Sequence, residues 1–375
     1  MRILFTGGGT GGHFFPVIAV VRELKRIAEE AQIIDLELFY MGPDDFGKEI
    51  IAEEELLFLY VGTGKIRRYA SILNITDVFK TFFGILKGIW KIFLVMPDAV
   101  FSKGGYGAIP AVVGAIIFRI PLIIHESDCI PGQVNRLSGR FAMRIGVAFS
   151  GAAQFFPKEK TAIVGIPIRK RILGGNPSHA KESLSIFSDL PVVGVIGASQ
   201  GSQRINEALL GVLKDLTEEF EIIHQTGEKN FEAAKGEGSV TLEFAHKERY
   251  HPVGFFDEQG MREFYAASDI IVSRAGASSI FELAAWAKPA ILVPLLNSAQ
   301  EHQIKNAYEY AATGAAQIIE EGNLTPHILL GEIRRLVQNK DMMRRMGEAA
   351  QRFSRIDAAE IIARELLRIG LHGKK

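Results

Sequence analysis

Cys129 is the only cysteine among 375 residues, so the chain can form no intramolecular disulfide and no zinc site built on cysteine pairs. Such sparse cysteine fits a reducing compartment. Net charge is absent too: 43 lysines and arginines balance 43 aspartates and glutamates, and no overall field draws the chain to nucleic acid. Long apolar runs are also missing. The longest, "IPAVVGAIIFRIPLII", is cut by Arg119 and Pro121 and falls short of the roughly 20 residues that span a bilayer. The opening residues show no basic stretch, apolar core or small-residue cleavage site, so no signal peptide is expected. No Asp-x-Asp triplet occurs, which removes the commonest carboxylate pair that holds a divalent cation beside a diphosphate; neither a metal nor another cofactor is expected. The expectation is a soluble, cytoplasmic protein.

What is present is an alternation of short apolar runs and longer amphipathic ones, over a length that suits two domains. "RILFTG", "LELFYMG", "AVFSKG", "PLIIHE", "RIGVAF" and "KTAIVGIPI" read as buried strands, with a helix over Ala19 to Glu30. After a charged, proline- and glycine-bearing stretch, Arg169 to Pro191, the pattern restarts with "PVVGVIGASQGSQRINEALL" and continues through "FEIIHQTG", "DIIVSRAG" and "AILVPLL". Strands alternating with helices imply parallel sheets wound through right-handed crossovers. The class is therefore α/β, with two Rossmann-like domains. The C-terminus reads as helical from about Lys340 to Gly370, with a break near Ser354.

Each domain opens on a glycine turn. In "ILFTGGGTGGHFFP", glycines let the backbone approach a ligand, and the following helix start offers N–H groups to an anion. Gly7, Gly9 and Gly12 satisfy the G-x-G-x-x-G expression, but the second strand ends "FYMGP" without the acid that would hold a ribose. No Gly-Lys-Ser/Thr follows, which excludes a P-loop. His13 sits at the helix start, where it either caps the turn or accepts a proton near neutral pH. The second turn, "IGASQGSQRIN", offers Ser199 and successive amides to a diphosphate. In "SRAGASSIFEL", Glu282 falls in the first two turns of a helix, as a partner of the helix dipole or as an acceptor for both ribose hydroxyls. "SAQEHQIKNA" adds a polar cluster that includes Gln300, Gln303 and Asn306 and suits sugar hydroxyls. A diphosphate leaving group would then be neutralised by helix N-termini, amides and Arg169.

"GGGTGGHFFP", "FSKGGYGAIPA", "HESDCIPGQVNRL", "VGIPIR", "GASQGSQRIN", "HQTG", "SRAGASSIFEL" and "AQEHQIKNA" occur in this order along nearly the whole chain. Together they resemble the MurG family of peptidoglycan N-acetylglucosaminyltransferases. The resemblance implies a GT-B fold, two Rossmann-like domains facing a cleft. It places an acceptor and membrane-associating domain at residues 1–165, a donor domain at 166–340, and a helix at 341–375 returning to the first. It implies inverting transfer of N-acetylglucosamine (GlcNAc) from UDP-GlcNAc to the 4-hydroxyl of the muramoyl sugar in undecaprenyl-diphospho-MurNAc-pentapeptide (lipid I), giving lipid II. The family's donor contacts carry over onto Thr10, Gly11, Gly12, Arg169, Ser199, Phe256, Ala277, Ser278, Ser279, Ile280, Phe281, Glu282 and Gln303. Phe256 would meet uracil through its backbone, and Glu282 would meet the ribose. His13 matches the proposed general base, and Glu126 is carried over with it as a catalytic candidate. Gly104, Gly105 and Tyr106 match a loop facing the acceptor diphosphate. The chain departs from the family's His-Glu-Gln-Asn, reading His125-Glu126-Ser127-Asp128, and has Ile166 in place of an asparagine. Asp128 accepts hydrogen bonds from sugar hydroxyls but offers no amide donor.

A lipid-linked acceptor requires approach to a bilayer. Gly62 to Val95 holds six basic residues against Asp77, interleaved with Phe79, Phe82, Phe83, Ile85, Leu86, Trp90 and Phe93. Lys80, Lys87 and Lys91 share a helical face opposite a broad apolar one. Such a helix either lies on an anionic membrane, each base worth about 1 kcal/mol, or packs its apolar face into the core. The resemblance further implies a peripheral location on the cytoplasmic face of the plasma membrane, with other cell-wall synthesis proteins as partners. Rival readings are a GT-B enzyme acting on another lipid such as diacylglycerol, a nucleotide-sugar sensor, and a dinucleotide oxidoreductase.

Overall fold

The computed structural model describes residues 1–8, 11–43, 47–64, 72–197, 201–296 and 301–372. The chain divides into two units, Met1–Arg169 with Arg355–Lys375, and Lys170–Ser354. Unit 1 holds β1 (Arg2–Thr6), β2 (Glu37–Gly42), β3 (Leu57–Tyr60), β4 (Ala99–Ser102), β5 (Leu122–Glu126), β6 (Arg144–Val147) and β7 (Thr161–Ile163). They form one parallel sheet in the order β3-β2-β1-β4-β5-β6-β7. The register sets Phe5 opposite Tyr40 on one side and Phe101 on the other.

Alternation along the strands makes two cores. Ile3 and Phe5 pack on one face with the helix Gly11–Glu30 and the terminal helix Ala358–His372. Leu4, between them, packs on the other face with Ile92 and Ala111 of the helices Ile72–Val95 and Ile109–Ile117. The helix Gly11–Glu30 begins well before Ala19 and runs through Pro16; Phe14, Pro16 and Val17 are all buried and hold that turn in place.

The helix Ile72–Val95 packs by its smallest residues. A Cβ on Gly88 would lie 2.6 Å from that of Pro110, and one on Gly84 would lie 2.1 Å from the Gly62 carbonyl oxygen. The large apolar side chains consequently point outward: Phe83 is 64% and Trp90 60% exposed, and Phe79, Phe82, Leu86 and Phe93 are exposed with them. The broad apolar face is thus not the core-facing one. Among the described residues no helix is long and apolar enough to cross a membrane.

Unit 2 holds β8 (Val192–Ile196), β9 (Glu221–Gln225), β10 (Tyr250–Val253), β11 (Ile270–Ser273), β12 (Ala290–Leu292) and β13 (Ala316–Ile318), again parallel, in the order β10-β9-β8-β11-β12-β13. C-terminal helicity breaks between Phe353 and Ala358. Phe353 packs on Phe281 and Tyr310 in unit 2, whereas Ile362 and Leu366 join the unit 1 core. In both sheets the winding direction reverses beside the first strand, between β1 and β4 and between β8 and β11. Loops leaving the C-terminal ends of strands at such a reversal form the natural ligand crevice of an open α/β sheet.

Candidate active site

In unit 1 the loops after β1 and β4 meet at this reversal. The Lys103 N–H donates to the Thr6 carbonyl at 2.9 Å, continuing the ladder one residue past the strands. Beyond it Gly104 and Gly105 adopt φ of +79° and +80°. A Cβ on Gly105 would lie 3.0 Å from Gly8 Cα, so the two glycine loops approach through bare backbone. Tyr106 opens the turn that follows. His13 stands in the first turn of its helix, half-buried, with Nδ1 3.2 Å from the Lys103 carbonyl oxygen. A carbonyl can only accept, so Nδ1 carries a proton, and in the neutral ring the lone pair is then on Nε2. That nitrogen faces the Gly8–Gly105 contact, 3.6 Å from where a Gly105 Cβ would be. Gly11 and Gly12 begin the helix, and among the described residues no atom lies within 4 Å of where a Gly12 Cβ would be. Thr10 lies outside the described residues.

Beneath these loops is a buried polar cluster. Lys103 Nζ donates to His125 Nδ1 at 2.8 Å and to Ser127 Oγ. His125 Nε2 donates to the Gly165 carbonyl at 2.7 Å, and burial together with the adjacent ammonium keeps the ring neutral, its pKa well below the ordinary value. Burial lowers the Lys103 pKa to about 8, against the attraction of Glu126 and Asp128. Glu126 is buried and accepts from the Asp128 N–H at 3.0 Å, the Gly132 N–H at 3.1 Å and Asn135 Nδ2 at 2.9 Å. Burial, then the nearby Asp128, raises its pKa. Its oxygens close the loop after β5 onto itself, so the structure places Glu126 as an anchor of that loop. Asp128 is half-buried at the start of the loop. Arg169 lies with its guanidinium 4.1 Å from the centroid of Phe15, two residues after His13 in the same helix.

In unit 2 the loop after β8 contains Gly201 at φ +75°, where a Cβ would lie 2.1 Å from the Thr226 carbonyl oxygen. Ser202 caps the helix Gln203–Leu210. Ser199 lies outside the described residues. The "HQTG" histidine is structural: His224 Nε2 meets Asn206 Oδ1 at 3.0 Å and its Nδ1 meets the Tyr250 hydroxyl at 2.9 Å. Burial lowers its pKa to about 3, so it stays neutral. Gln225 instead turns toward the uracil candidate, accepting from the Phe256 N–H at 3.4 Å.

The loop after β11 leads through Gly276 into the helix Ala277–Ala285. The N–H groups of Ala277, Ser278 and Ser279 form its first turn and have no partner within the helix, while the Ile280 N–H already donates to Gly276 at 3.0 Å. The Ile280 and Phe281 side chains are core. Glu282, half-buried, accepts from the Tyr265 hydroxyl at 2.9 Å, and the Tyr265 ring stacks on Trp286. Gln303 accepts from the Leu295 N–H at 3.1 Å. Arg274, almost fully buried, donates to Glu321 at 2.5 Å and to the Val293 carbonyl at 3.2 Å, tying together the loops that follow β11, β12 and β13.

The reading of the residues passed over Lys103, Tyr265, Gln225 and the Arg274–Glu321 pair. "SKGG" and "SRAG" each set a cation beside a glycine turn, the only signal available for Lys103 and Arg274; the tyrosine and the glutamine carry none.

Two parallel Rossmann-like sheets, each with a glycine turn at its reversal, define the GT-B fold class. The profile of the glycosyltransferase family 28 N-terminal domain matches residues 3–147, and that of the C-terminal domain matches residues 192–362. The chain is 36% identical over 342 residues, 91% of each chain, to a UDP-N-acetylglucosamine–N-acetylmuramyl-(pentapeptide) pyrophosphoryl-undecaprenol N-acetylglucosamine transferase of Clostridium tetani. It is 35% identical over 90% of each chain to the enzyme of the same name in Legionella pneumophila. Its fold is shared with a crystal structure of MurG from Acinetobacter baumannii at a TM-score of 0.74 and 23% identity, over 98% of this chain and 99% of that one. A UDP-GlcNAc 2-epimerase from Neisseria meningitidis, crystallised with UDP-GlcNAc, shares the fold at 0.67 and 13% identity, over 98% and 100%. The chain belongs to the MurG family.

Proposed function

We propose that this protein transfers GlcNAc from UDP-GlcNAc to the 4-hydroxyl of MurNAc in lipid I, releasing UDP and forming lipid II. The observation that carries this reading is the 36% identity over 91% of the chain to a transferase of that name. In unit 2, Glu282 takes the ribose hydroxyls, the Phe256 backbone takes uracil, and Gln303 takes a sugar hydroxyl; Asp128, of unit 1, is likewise assigned to sugar hydroxyls. The N–H groups of Ala277, Ser278 and Ser279, with Ser199 and Arg169, meet the diphosphate. In unit 1, the Gly104–Tyr106 loop takes the acceptor diphosphate. His13 Nε2 removes the proton from the MurNAc 4-hydroxyl as that oxygen bonds to the anomeric carbon. The bond from that carbon to UDP breaks on the opposite face, and the electron pair leaves on the β-phosphate oxygen. Glu126 acts by holding the loop that carries Asp128.

Membrane approach is assigned to the helix Ile72–Val95. Support comes from its outward Phe79, Phe83 and Trp90, set beside exposed Lys80 and Lys87. The location we assign is the cytoplasmic face of the plasma membrane, reached peripherally, with few residues inserted.

Incubating the purified protein with labelled UDP-GlcNAc and either lipid I or diacylglycerol tests the reading. Labelled lipid II with stoichiometric UDP is expected. Transfer to diacylglycerol alone, or conversion of UDP-GlcNAc to its 2-epimer without transfer, overturns it.

A further inference from the structure

Arg274 holds a charge almost wholly out of water, just before the glycine turn that opens the helix Ala277–Ala285. Its guanidinium reaches two different loops. Nη1 donates to the Val293 carbonyl, just past β12, and Nη2 donates to Glu321 Oε1, in the turn that follows β13. Glu321 divides its own oxygens in the same way, since Oε2 accepts from the Leu296 N–H at 3.3 Å. The pair therefore grips the segment after β12 at two points, Val293 and Leu296. Between those points the Leu295 N–H donates to Gln303 Oε1 at 3.1 Å, and Gln303 stands in the first turn of the helix His302–Ala311. The same helix is tied to the turn after β13 once more, because the Tyr308 hydroxyl donates to Glu320 Oε1 at 2.7 Å. All of these residues belong to unit 2.

A buried ion pair is weak support for a fold, because two apolar residues of similar volume commonly serve as well. What an apolar pair does not supply is direction. The planar guanidinium and the two carboxylate oxygens fix several hydrogen-bonded points in one geometry. Arg274 needs little of this for its own backbone, whose N–H donates to the Ile196 carbonyl at 3.4 Å. The segment beyond Val293 has left the sheet and depends on the pair. We propose that Arg274 and Glu321 are positioning residues for donor recognition: they fix the Leu295–Leu296 backbone and, through the Leu295 N–H, hold the Gln303 carboxamide oriented toward the donor sugar. The inference rests on the assignment of Gln303 to a sugar hydroxyl. It adds that the buried pair serves the sugar rather than the nucleotide, by ordering Gln303 on folding instead of on binding.

The test compares wild type with Gln303→Ala, with the double variant Arg274→Met/Glu321→Leu, and with all three changes together. UDP-GlcNAc and UDP affinities are measured by calorimetry on the full chain, with urea unfolding beside them. The double variant leaves no unpaired buried ion and is expected to unfold near the wild-type urea concentration. It is expected to bind UDP-GlcNAc at least about 3-fold more weakly, as one released side chain must be ordered on binding, and UDP less than about 2-fold more weakly. In the Gln303→Ala background the same two changes are expected to cost UDP-GlcNAc less than about 2-fold, because the side chain they orient is gone. A smaller loss of UDP-GlcNAc in the folded double variant, an equal loss of UDP, or losses that add in the combined variant overturn the proposal. A double variant that does not fold assigns the pair to the fold alone and refutes it as well. Unchanged UDP-GlcNAc affinity in Gln303→Ala sinks the sugar contact on which the inference rests; a loss there with none in the double variant sinks only the role of the pair.

Discussion

Tyr265→Phe isolates one hydrogen bond. The ring is fully buried and stacks on Trp286 with 6.0 Å between centroids, and phenylalanine keeps that packing. What is lost is the donor 2.9 Å from Glu282 Oε2. A hydrogen bond to a charged acceptor is worth about 1.5–3 kcal/mol, and the half-exposed position of Glu282 puts this one toward the lower end, since water can replace the hydroxyl. The effect on binding is separate. A carboxylate that has lost this donor is less ordered before the ribose arrives, and ordering one side chain costs about 0.5–1.5 kcal/mol, which is about 2- to 12-fold in affinity. Glu282→Ala removes the proposed ribose acceptor altogether and is expected to weaken UDP about 10- to 150-fold on the same scale for charged hydrogen bonds. Calorimetric titration with UDP, beside urea unfolding, separates the two quantities. Wild-type UDP affinity in Tyr265→Phe, alongside a large loss in Glu282→Ala, would show that the tyrosine supports the fold without orienting the ribose contact. Unchanged affinity in Glu282→Ala would remove the ribose assignment.

Two further expectations come from other parts of the molecule. Replacing Phe79, Phe83 and Trp90 together by serine takes apolar area from a solvent-facing surface; co-flotation with anionic vesicles is expected to fall severalfold with little change in melting temperature, and unaltered flotation would reject this face as the attachment site. Lys103 ties stability to pH. Its pKa in the folded chain, about 8, is below the ordinary 10.5, so between those values the unfolded chain binds more protons and stability rises with pH. The rise reaches at most about 1.4 kcal/mol per pH unit. Urea unfolding across pH 8 to 10 is expected to show this rise in the wild type relative to Lys103→Met, and parallel curves would contradict it.

The interior strands of both sheets were legible because burial on two faces writes a continuous apolar run, as in "RILFT" and "VVGVI". The strands that left no such mark are β3, β10 and β13, each at a sheet edge. An edge strand pairs on one side only, so "LFLY" stays half-exposed and "YHPV" tolerates Pro252, whose missing N–H costs nothing on the open side. The outward aromatics of the helix Ile72–Val95 were misleading for a related reason: periodicity finds an apolar face but not which way it points. Gly84 and Gly88, small enough for close packing against Gly62 and Pro110, held that information. In the site, the glycine turns, His13 and Glu282 could be read because each belongs to a local pattern. Lys103, Tyr265 and Arg274 could not, since their partners Ser127, Glu282 and Glu321 lie 24, 17 and 47 residues away and meet them only after folding.

The central claim divides the work: unit 2 carries the uridine contacts, and His13 of unit 1 moves the proton. His13→Ala tests it most directly, with turnover on lipid I and UDP-GlcNAc affinity measured on one preparation. The account predicts a fall in kcat of about 10²- to 10⁴-fold, the usual contribution of a general base, with donor affinity within about 2-fold of wild type. A kcat near the wild-type value, or a loss of donor binding that matches the loss of rate, would contradict it.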